Sequence, residues 1–405
     1  MTDLFLPLQS LKQGDWFKLI CGASFQHLPA VRSLTLAYTL AGADCIDVAA
    51  DPAVIAAAQS GLQAAKSLAK DAQKRGFDYK GNLPFLMVSL NDGEDPHFRK
   101  AEFNPHECPT DCPRPCERIC PAQAIVFDSI KEDFSGVVSE KCYGCGRCIP
   151  ICPYSIIYTA SYVTTPGAIA PLVMSTGVDA VEIHTQVGRL AEFERLWQAI
   201  SPWVDKLKLL AISCPDGEGM IDYLRALYDR IAPFKGTLIW QTDGRPMSGD
   251  IGDGTTIAAV KLGQKVLAAK LPGYVQLAGG TNKYTVAKLK AMGLLKEAGE
   301  QGSRGAGEKE EIFPSAPPPL CPSVTERSRS AAPLPLCPSA SIAGVAYGSY
   351  ARVLLSPILE QLENKEVSNT NMKATVRLEE DEVLLWQAVE LAHSLVSQIK
   401  SQQER

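Results

Sequence analysis

Residues 108–121 read CPTDCPRPCERICP, and residues 142–153 read CYGCGRCIPICP. Thiols this dense bind a metal ion, hold an iron–sulfur cluster or cross-link. In the first stretch Cys108, Cys112, Cys116 and Cys120 are each separated by three residues. That is a helical spacing, since residues four apart share one helix face. However, Pro113 and Pro115 lie inside the run, and interior prolines remove a hydrogen bond and clash with the preceding turn. The stretch is therefore a loop with four thiols. Alone it is open to tetrahedral zinc, although zinc ribbons place two CxxC pairs far apart. A disulfide knot is disfavoured because the opening MTDLFLPLQSLKQGDWF has no apolar leader core.

The second stretch narrows the choice. It reads C-x2-C-x2-C-x3-C-P without mismatch, the run of bacterial ferredoxins. Gly144 and Gly146 let the backbone lie close to a cluster. In two-cluster ferredoxins the fourth cysteine ligates the other cluster, so such motifs occur in pairs. The 108–121 stretch is then the expected partner. Both halves end alike, in CPAQAI and CPYSII, as a duplicated unit would. The expectation is two 4Fe–4S clusters. Cys142, Cys145 and Cys148 would share one with Cys120. Cys108, Cys112 and Cys116 would share the other with Cys152. Both early spacers of the first motif are one residue longer than the regular pattern. That cluster is expected to be the more labile, losing an iron to become 3Fe–4S.

The chain of 405 residues is too long for a ferredoxin, and its 46% apolar content supports a large core. A net charge of −5 without a basic stripe argues against a nucleic-acid partner. No apolar stretch has the length of a membrane span. The scattered cysteines at 21, 45, 214, 321 and 337 fit a reducing cytoplasm. Eight apolar, β-rich runs alternate with helical patterns. They are FKLICGA (17–23), CIDVAA (45–50), FLMVSL (85–90), AVEIHT (180–185), KLLAISC (208–214), TLIWQT (237–242), YVQLAGG (274–280) and IAGVAYGS (342–349). This predicts an α/β fold, a (β/α)8 barrel with an inserted two-cluster ferredoxin-like module. The alternative is an open doubly wound sheet. The expected division is 1–103 for barrel strands one to three, 104–160 for the module and 161–300 for strands four to seven. A Pro/Ser-rich segment without apolar periodicity, expected to be disordered, follows at 301–340. The last barrel strand and helix take 341–361, and a linker with an amphipathic helix takes 362–405. What remains after removing the module, the Pro/Ser segment and the tail is close to the usual barrel size of about 250 residues.

In a barrel the loops after the strands carry the chemistry. Gly279 and Gly280 after strand seven, with Gly348 and Ser349 after strand eight, would offer N–H groups to a phosphate or to flavin mononucleotide (FMN); otherwise they form tight turns. Asn282 is placed to cap the next helix. In the loop QTDGRPMSGDIGDGTT, Arg245 would meet an anion with Asp243 orienting it, or the loop is merely solvated. Glu182 and His184 alternate on strand four and would both point inward, as would Asp47, although a strand histidine is more often structural. Cys214 is a thiol near the mouth or a small buried hydrophobe. No Ser/His/Asp set and no acid–base pair stands out. The C-terminal helix would pack on the barrel or serve a partner.

CPTDCPRPCERICP, CYGCGRCIPICP, GADCIDVAADP and LAGGTN together resemble the cyanobacterial light-dependent period protein family, over about 1–300 and 341–361. The Pro/Ser segment departs from it. The resemblance implies an iron–sulfur protein that feeds cellular redox state, and with it light intensity, into the circadian clock. It also implies a clock-input histidine kinase and circadian clock proteins as partners. Two functions stay open. One is a non-catalytic redox sensor, favoured by the resemblance and the lack of a catalytic set. The other is an oxidoreductase whose ferredoxin unit passes electrons from redox donors to a flavin or a phosphate-bearing substrate in the barrel.

Overall fold

Eight strands rich in Val, Ile and Leu have no polar edge to show to water. Parallel sheets bury both faces, one against helices and the other against the lumen. The computed structural model describes residues 6–22, 27–77, 79, 81–93, 99–120, 123–129, 134–138, 141–142, 148–161, 166–231, 234–244, 254–296, 338–368 and 376–400. Twelve strands lie among them: β1 (Trp16–Gly22), β2 (Cys45–Ala49), β3 (Phe85–Asn91), β4 (Arg99–Glu102), β5 (Ile125–Ser129), β6 (Phe134–Val137), β7 (Tyr158–Ser161), β8 (Ala180–His184), β9 (Leu209–Pro215), β10 (Thr237–Asp243), β11 (Gly273–Ala278) and β12 (Pro338–Tyr347). Eight of them close into a barrel in the order β1-β12-β11-β10-β9-β8-β3-β2. Parallel pairing of β1 with β12, from Trp16↔Gly344 to Leu19↔Tyr347, rules out the open doubly wound sheet.

The barrel floor is apolar. Trp16, Cys45, Phe85, Met87, Ala180, Leu209, Ala211 and Ile239 fill it, and Leu11 of the helix Leu6–Gln13 plugs it from below. Gly344 is required beside Trp16, because a Cβ there would lie 2.4 Å from the Trp16 carbonyl oxygen. The alternate residues of each strand face outward into a second, larger core against the helices. The C-terminal helix Glu382–Val396 packs on the helices Leu28–Leu40 and Ser349–Ser368. Its Trp386 stacks on Phe77 with ring centroids 6.0 Å apart. Among the described residues no helix is long and apolar enough to cross a membrane.

Some element edges differ from the sequence reading. The last barrel strand begins at Pro338, inside the stretch 301–340, because backbone pairing with Gly273 continues there without needing apolar side chains. The helix after it runs to Ser368, past 361, and Leu362 is still buried. The antiparallel pair β4–β7 extends the insertion to Arg99 and Ser161, several residues before 104 and one beyond 160. Residues 301–337 lie outside the described residues.

Candidate functional site

The insertion leaves the barrel after β3 and returns before β8. β4 and β7 pair antiparallel, Arg99↔Ser161 to Glu102↔Tyr158, so the chain enters and exits side by side. β5 and β6 form a second antiparallel pair. Two short helices, Pro115–Ile119 and Cys148–Ile151, pack on each other. Each carries the third cysteine of its motif near its start, Cys116 or Cys148, and the fourth follows just past its end, Cys120 or Cys152. Each fourth cysteine then begins the same turn. The Gln123 N–H donates to the Cys120 carbonyl at 3.1 Å, and the Ser155 N–H donates to the Cys152 carbonyl at 3.2 Å. Gln123 and Ser155 both adopt left-handed backbone, with φ of 49° and 53°. The likeness of CPAQAI and CPYSII is a likeness of backbone geometry.

The sulfurs divide into neighbourhoods. Burial pushes the Cys108 thiol up, Cys112 beside it adds to the shift, and Cys152 contributes from the other motif. Burial pushes Cys116 up to about 11, with Cys152 and Cys108 adding to it. Cys108 and Cys116 are thus each within reach of Cys152, and Cys112 of Cys108. Elsewhere in the module, sulfurs accept backbone hydrogen bonds, from the Ala101 N–H to Cys142 Sγ (3.4 Å) and from the Ala124 N–H to Cys120 Sγ (3.2 Å). Cys116, Cys142 and Cys148 share one small core with Ala101, Phe103, Ala124, Ile125 and Ile157, against which Cys120 and Cys152 pack. Cys145, Gly144 and Gly146 lie outside the described residues. Cys108, Cys112, Cys116, Cys120, Cys142 and Cys152 are free thiols. Thiolates in an apolar shell with N–H···S donors are the setting iron–sulfur clusters use, and those bonds tune their potential. Among the described residues, no three His, Cys, Asp or Glu side chains converge on one ion-sized point.

The module is pinned to the strand-end face of the barrel. Lys100 on β4 is 7% exposed, and its Nζ lies 3.1 Å from Asp51 Oδ2 just after β2. Asp51 Oδ1 accepts the Ala53 N–H at 2.8 Å, capping the helix Pro52–Ser67.

Above the apolar floor the lumen becomes polar. Lys18, Asp47, Glu182, Gln241 and Gln276 are all buried. The Lys18 ammonium donates to Glu182, lies 2.9 Å from Asp47 Oδ2 and donates to Gln241 Oε1 at 3.0 Å. Gln241 Nε2 donates to Glu182 Oε1 at 2.6 Å, and Ser89 Oγ donates to Asp47 Oδ1 at 2.8 Å. His184 Nε2 lies 3.1 Å from Glu182 Oε1, and Ser213 Oγ donates to Asp243. Burial opposes charge on Lys18, but Asp47 and Glu182 outweigh it and hold the ammonium charged. One ammonium does not offset two carboxylates. Burial therefore pushes Asp47 up to about 6 even though it touches Lys18, and burial raises Asp243 as well.

Glu182, His184 and Asp47 thus face inward and meet in one network, which Asp243 joins at the rim. Arg245 lies outside the described residues. Cys214 faces the outer core, where burial pushes its thiol up to about 12, so it serves as a small hydrophobe. Gly279 and Gly280 make the turn after β11, with φ of 62° and 94°. Gly348 and Ser349 begin the helix after the adjacent β12, where Arg352 donates to Ser349 Oγ (3.1 Å) and to the Ile20 carbonyl (3.2 Å). Asn282 does not cap the next helix, which is preceded by Tyr284. Its side-chain oxygen accepts the Tyr284 N–H at 2.9 Å and is held there by Thr256. Lys18, Ser89, Ser213, Gln241, Gln276 and Arg352 were missed in the sequence. A signal existed for the lumen residues: each is a polar residue at an inward position within an otherwise apolar run.

Two family models match the chain. The one described as "LdpA Fe-S cluster-binding domain" covers residues 108–163, and "Light dependent period A C-terminal domain" covers residues 172–398. "Light dependent period A" of Synechococcus elongatus is 53% identical over 289 residues, spanning 71% of this chain and 77% of that protein. Among solved structures, (S)-3-O-geranylgeranylglyceryl phosphate synthase from Thermoplasma acidophilum aligns over 99% of both chains at 10% identity and a TM-score of 0.36. A family 20 β-N-acetylglucosaminidase aligns over 57% of this chain and 53% of its own at 11% identity and a TM-score of 0.24. Neither structural likeness is close enough to bear on activity.

Proposed function

We propose, on the premise that the chain belongs to the light-dependent period A family and carries its iron–sulfur-binding domain, that it is a cytoplasmic redox sensor in light-dependent period control. Two 4Fe–4S clusters would respond to cellular redox state. The barrel would present that response to signalling partners, a clock-input histidine kinase and circadian clock proteins. Cys108, Cys112 and Cys116 would hold one cluster with Cys152. Cys142, Cys145 and Cys148 would hold the other with Cys120. The observation that carries this reading is that Cys152 acts on Cys108 and on Cys116, across the two motifs. A simple one-motif, one-cluster scheme would not bring them together. When bound, the clusters supply one-electron chemistry, and the chain's own residues turn it into a signal. Ala101 bonds the sulfur of Cys142, and its neighbour Lys100 bonds Asp51, which caps the helix Pro52–Ser67. Charge added at the sulfurs is thereby felt two short steps away on the barrel.

A second reading, a ferredoxin-coupled oxidoreductase with a flavin or phosphate-bearing substrate, draws support from Arg352 beside Gly348 and Ser349. One preparation tests both. Anaerobically purified protein should carry about eight iron and eight sulfide, as two cubanes require, with cluster absorption and no flavin bands. Zinc without sulfide ends both readings, and stoichiometric flavin favours the second.

A further inference from the structure

A barrel lumen is ordinarily packed with branched aliphatic side chains. Buried ion pairs in their place are often neutral or destabilising against apolar residues of similar volume. The polar layer of this lumen is therefore poorly explained by stability. We infer that the rim above it, between His184, Asp243 and Ser213, is a binding site for a small protonated amine.

The argument is an account of donors and acceptors. The Trp16 indole can only donate. It donates to Gln276 Oε1 at 2.6 Å, which fixes that amide's orientation. Gln276 Nε2 then donates to Gln241 Oε1 at 2.6 Å, and Gln241 Nε2 donates to Glu182 Oε1 at 2.6 Å. The relay reads in one direction, and Glu182 receives it. Lys18 has three N–H groups, and Glu182, Asp47 and Gln241 take them. His184 Nε2 faces Glu182 Oε1 at 3.1 Å, so Nδ1 is the ring nitrogen turned away from that contact. Ser213 gives its hydroxyl proton to Asp243. Among the described residues the donors of the network are thus spent below the rim, and the Asp243 carboxylate stands on it as an acceptor.

Position and charge agree. His184, Ser213 and Asp243 stand on three consecutive strands, with His184 level with Ser213 and Asp243 level with Pro215 two residues further on. The His184 side chain is 26% exposed, whereas Glu182 beneath it is fully buried, so the rim faces outward and the layer below is closed. Among the described residues of the network, Lys18 and, when protonated, His184 face three carboxylates, Asp47, Glu182 and Asp243. A ligand that brings a positive charge and several N–H donors completes both counts, and a protonated amine has three. A neutral diol of the same size brings fewer donors and no charge.

The test uses the full-length, anaerobically purified protein. Calorimetric titrations with methylammonium, ethanolamine and putrescine are compared with ethylene glycol and with Mn2+. Saturable binding of at least one amine, none of the glycol, and at least tenfold weaker amine binding in Asp243→Asn are expected. The inference is overturned by no binding of any amine, by equal binding of the glycol, by Mn2+ binding alone, or by unchanged affinity in Asp243→Asn. A measurement on unsubstituted protein covers a variant that does not fold. With histidine rings isotopically labelled, one of five ring signals should shift on adding the amine and stay put with the glycol. If no ring signal moves, the site is not there. None of these outcomes depends on whether the clusters sense redox state.

Discussion

Lys18→Met removes the ammonium shared by two buried carboxylates. The lysine is 0% exposed, and its three N–H groups are bonded to Glu182, Asp47 and Gln241. Methionine nearly matches its volume, so the change is electrostatic rather than a cavity. Breaking a buried pair by removing one partner costs about 3–5 kcal/mol, because a charge is left without compensation. Here two carboxylates are left, so the cost belongs at the upper end of that range, about 5 kcal/mol. At about 2–4 °C per kcal/mol for a domain of a few hundred residues, Tm should fall by roughly 10–20 °C. Lys18→Met/Glu182→Gln removes one of the stranded charges and should recover about half of the loss. The assay is urea unfolding followed by circular dichroism under anaerobic conditions, with cluster content checked in each variant. A loss below about 1 kcal/mol for Lys18→Met, the size of an exposed pair, would refute the reasoning. So would strict additivity in the double variant, because residues in one network must couple.

Asp47 gives a pH signature. Its carboxyl is pushed up to about 6 in the fold, against about 3.9 in an unfolded chain, so folding favours its protonated form. Its contribution to stability is complete below about pH 4 and is lost as pH rises through 6, up to about 3 kcal/mol for some two units. Unfolding midpoints between pH 5 and 7.5 should decline more steeply in the unsubstituted protein than in Asp47→Asn, and parallel curves would sink the assignment. Brief air exposure should generate a three-iron paramagnetic signal from the cluster held by the irregular motif. That signal should vanish or change in Cys112→Ser and survive in Cys145→Ser, and the reverse result would make the regular motif the fragile one. Deleting 303–335 should leave iron content and Tm nearly unchanged, since closure entropy varies slowly with loop length; loss of soluble protein would expose a structural role for the segment.

The eight barrel strands were legible because each is a continuous apolar run, and such runs survive any detail of register. Closure was not legible in any one strand. It depends on Trp16 lying over Gly344, which is more than three hundred residues away in sequence. The lumen network failed for a related reason. Lys18, Gln241 and Gln276 each look like an interruption of one strand, and only the shared inward register makes them a layer. Glu182 and His184 were visible as an inward pair because two polar residues alternate within five positions of β8. The cysteines carried the module almost unaided, since their spacing is itself the constraint. Arg352 could not be read, because its neighbours Ser349 and Ile20 meet only when β12 closes against β1.

The two halves of the module share the hydrogen bond and the left-handed residue that follow the fourth cysteine, and differ in the sequence before the third. In the regular half, the spacers contain Gly144 and Gly146, residues that fold close to a cluster at little steric cost. In the irregular half the corresponding stretch is Pro113-Arg114-Pro115, and the extra residue is absorbed by Arg114, with φ of 51° and ψ of 52°. A side chain there is unfavourable, and a residue before proline is further biased toward extended backbone. Such a conformation persists only where its surroundings hold it, at a cost of about 1–3 kcal/mol. Part of the hold is visible, in the Arg114 guanidinium 4.3 Å over the Phe127 ring. The irregular half is therefore stiff and strained rather than slack. Its thiols Cys112 and Cys116 flank the strained residue, and releasing either one frees that backbone. A cluster held this way would be the first to lose a corner under oxidant, and the Cys112→Ser and Cys145→Ser variants test that expectation.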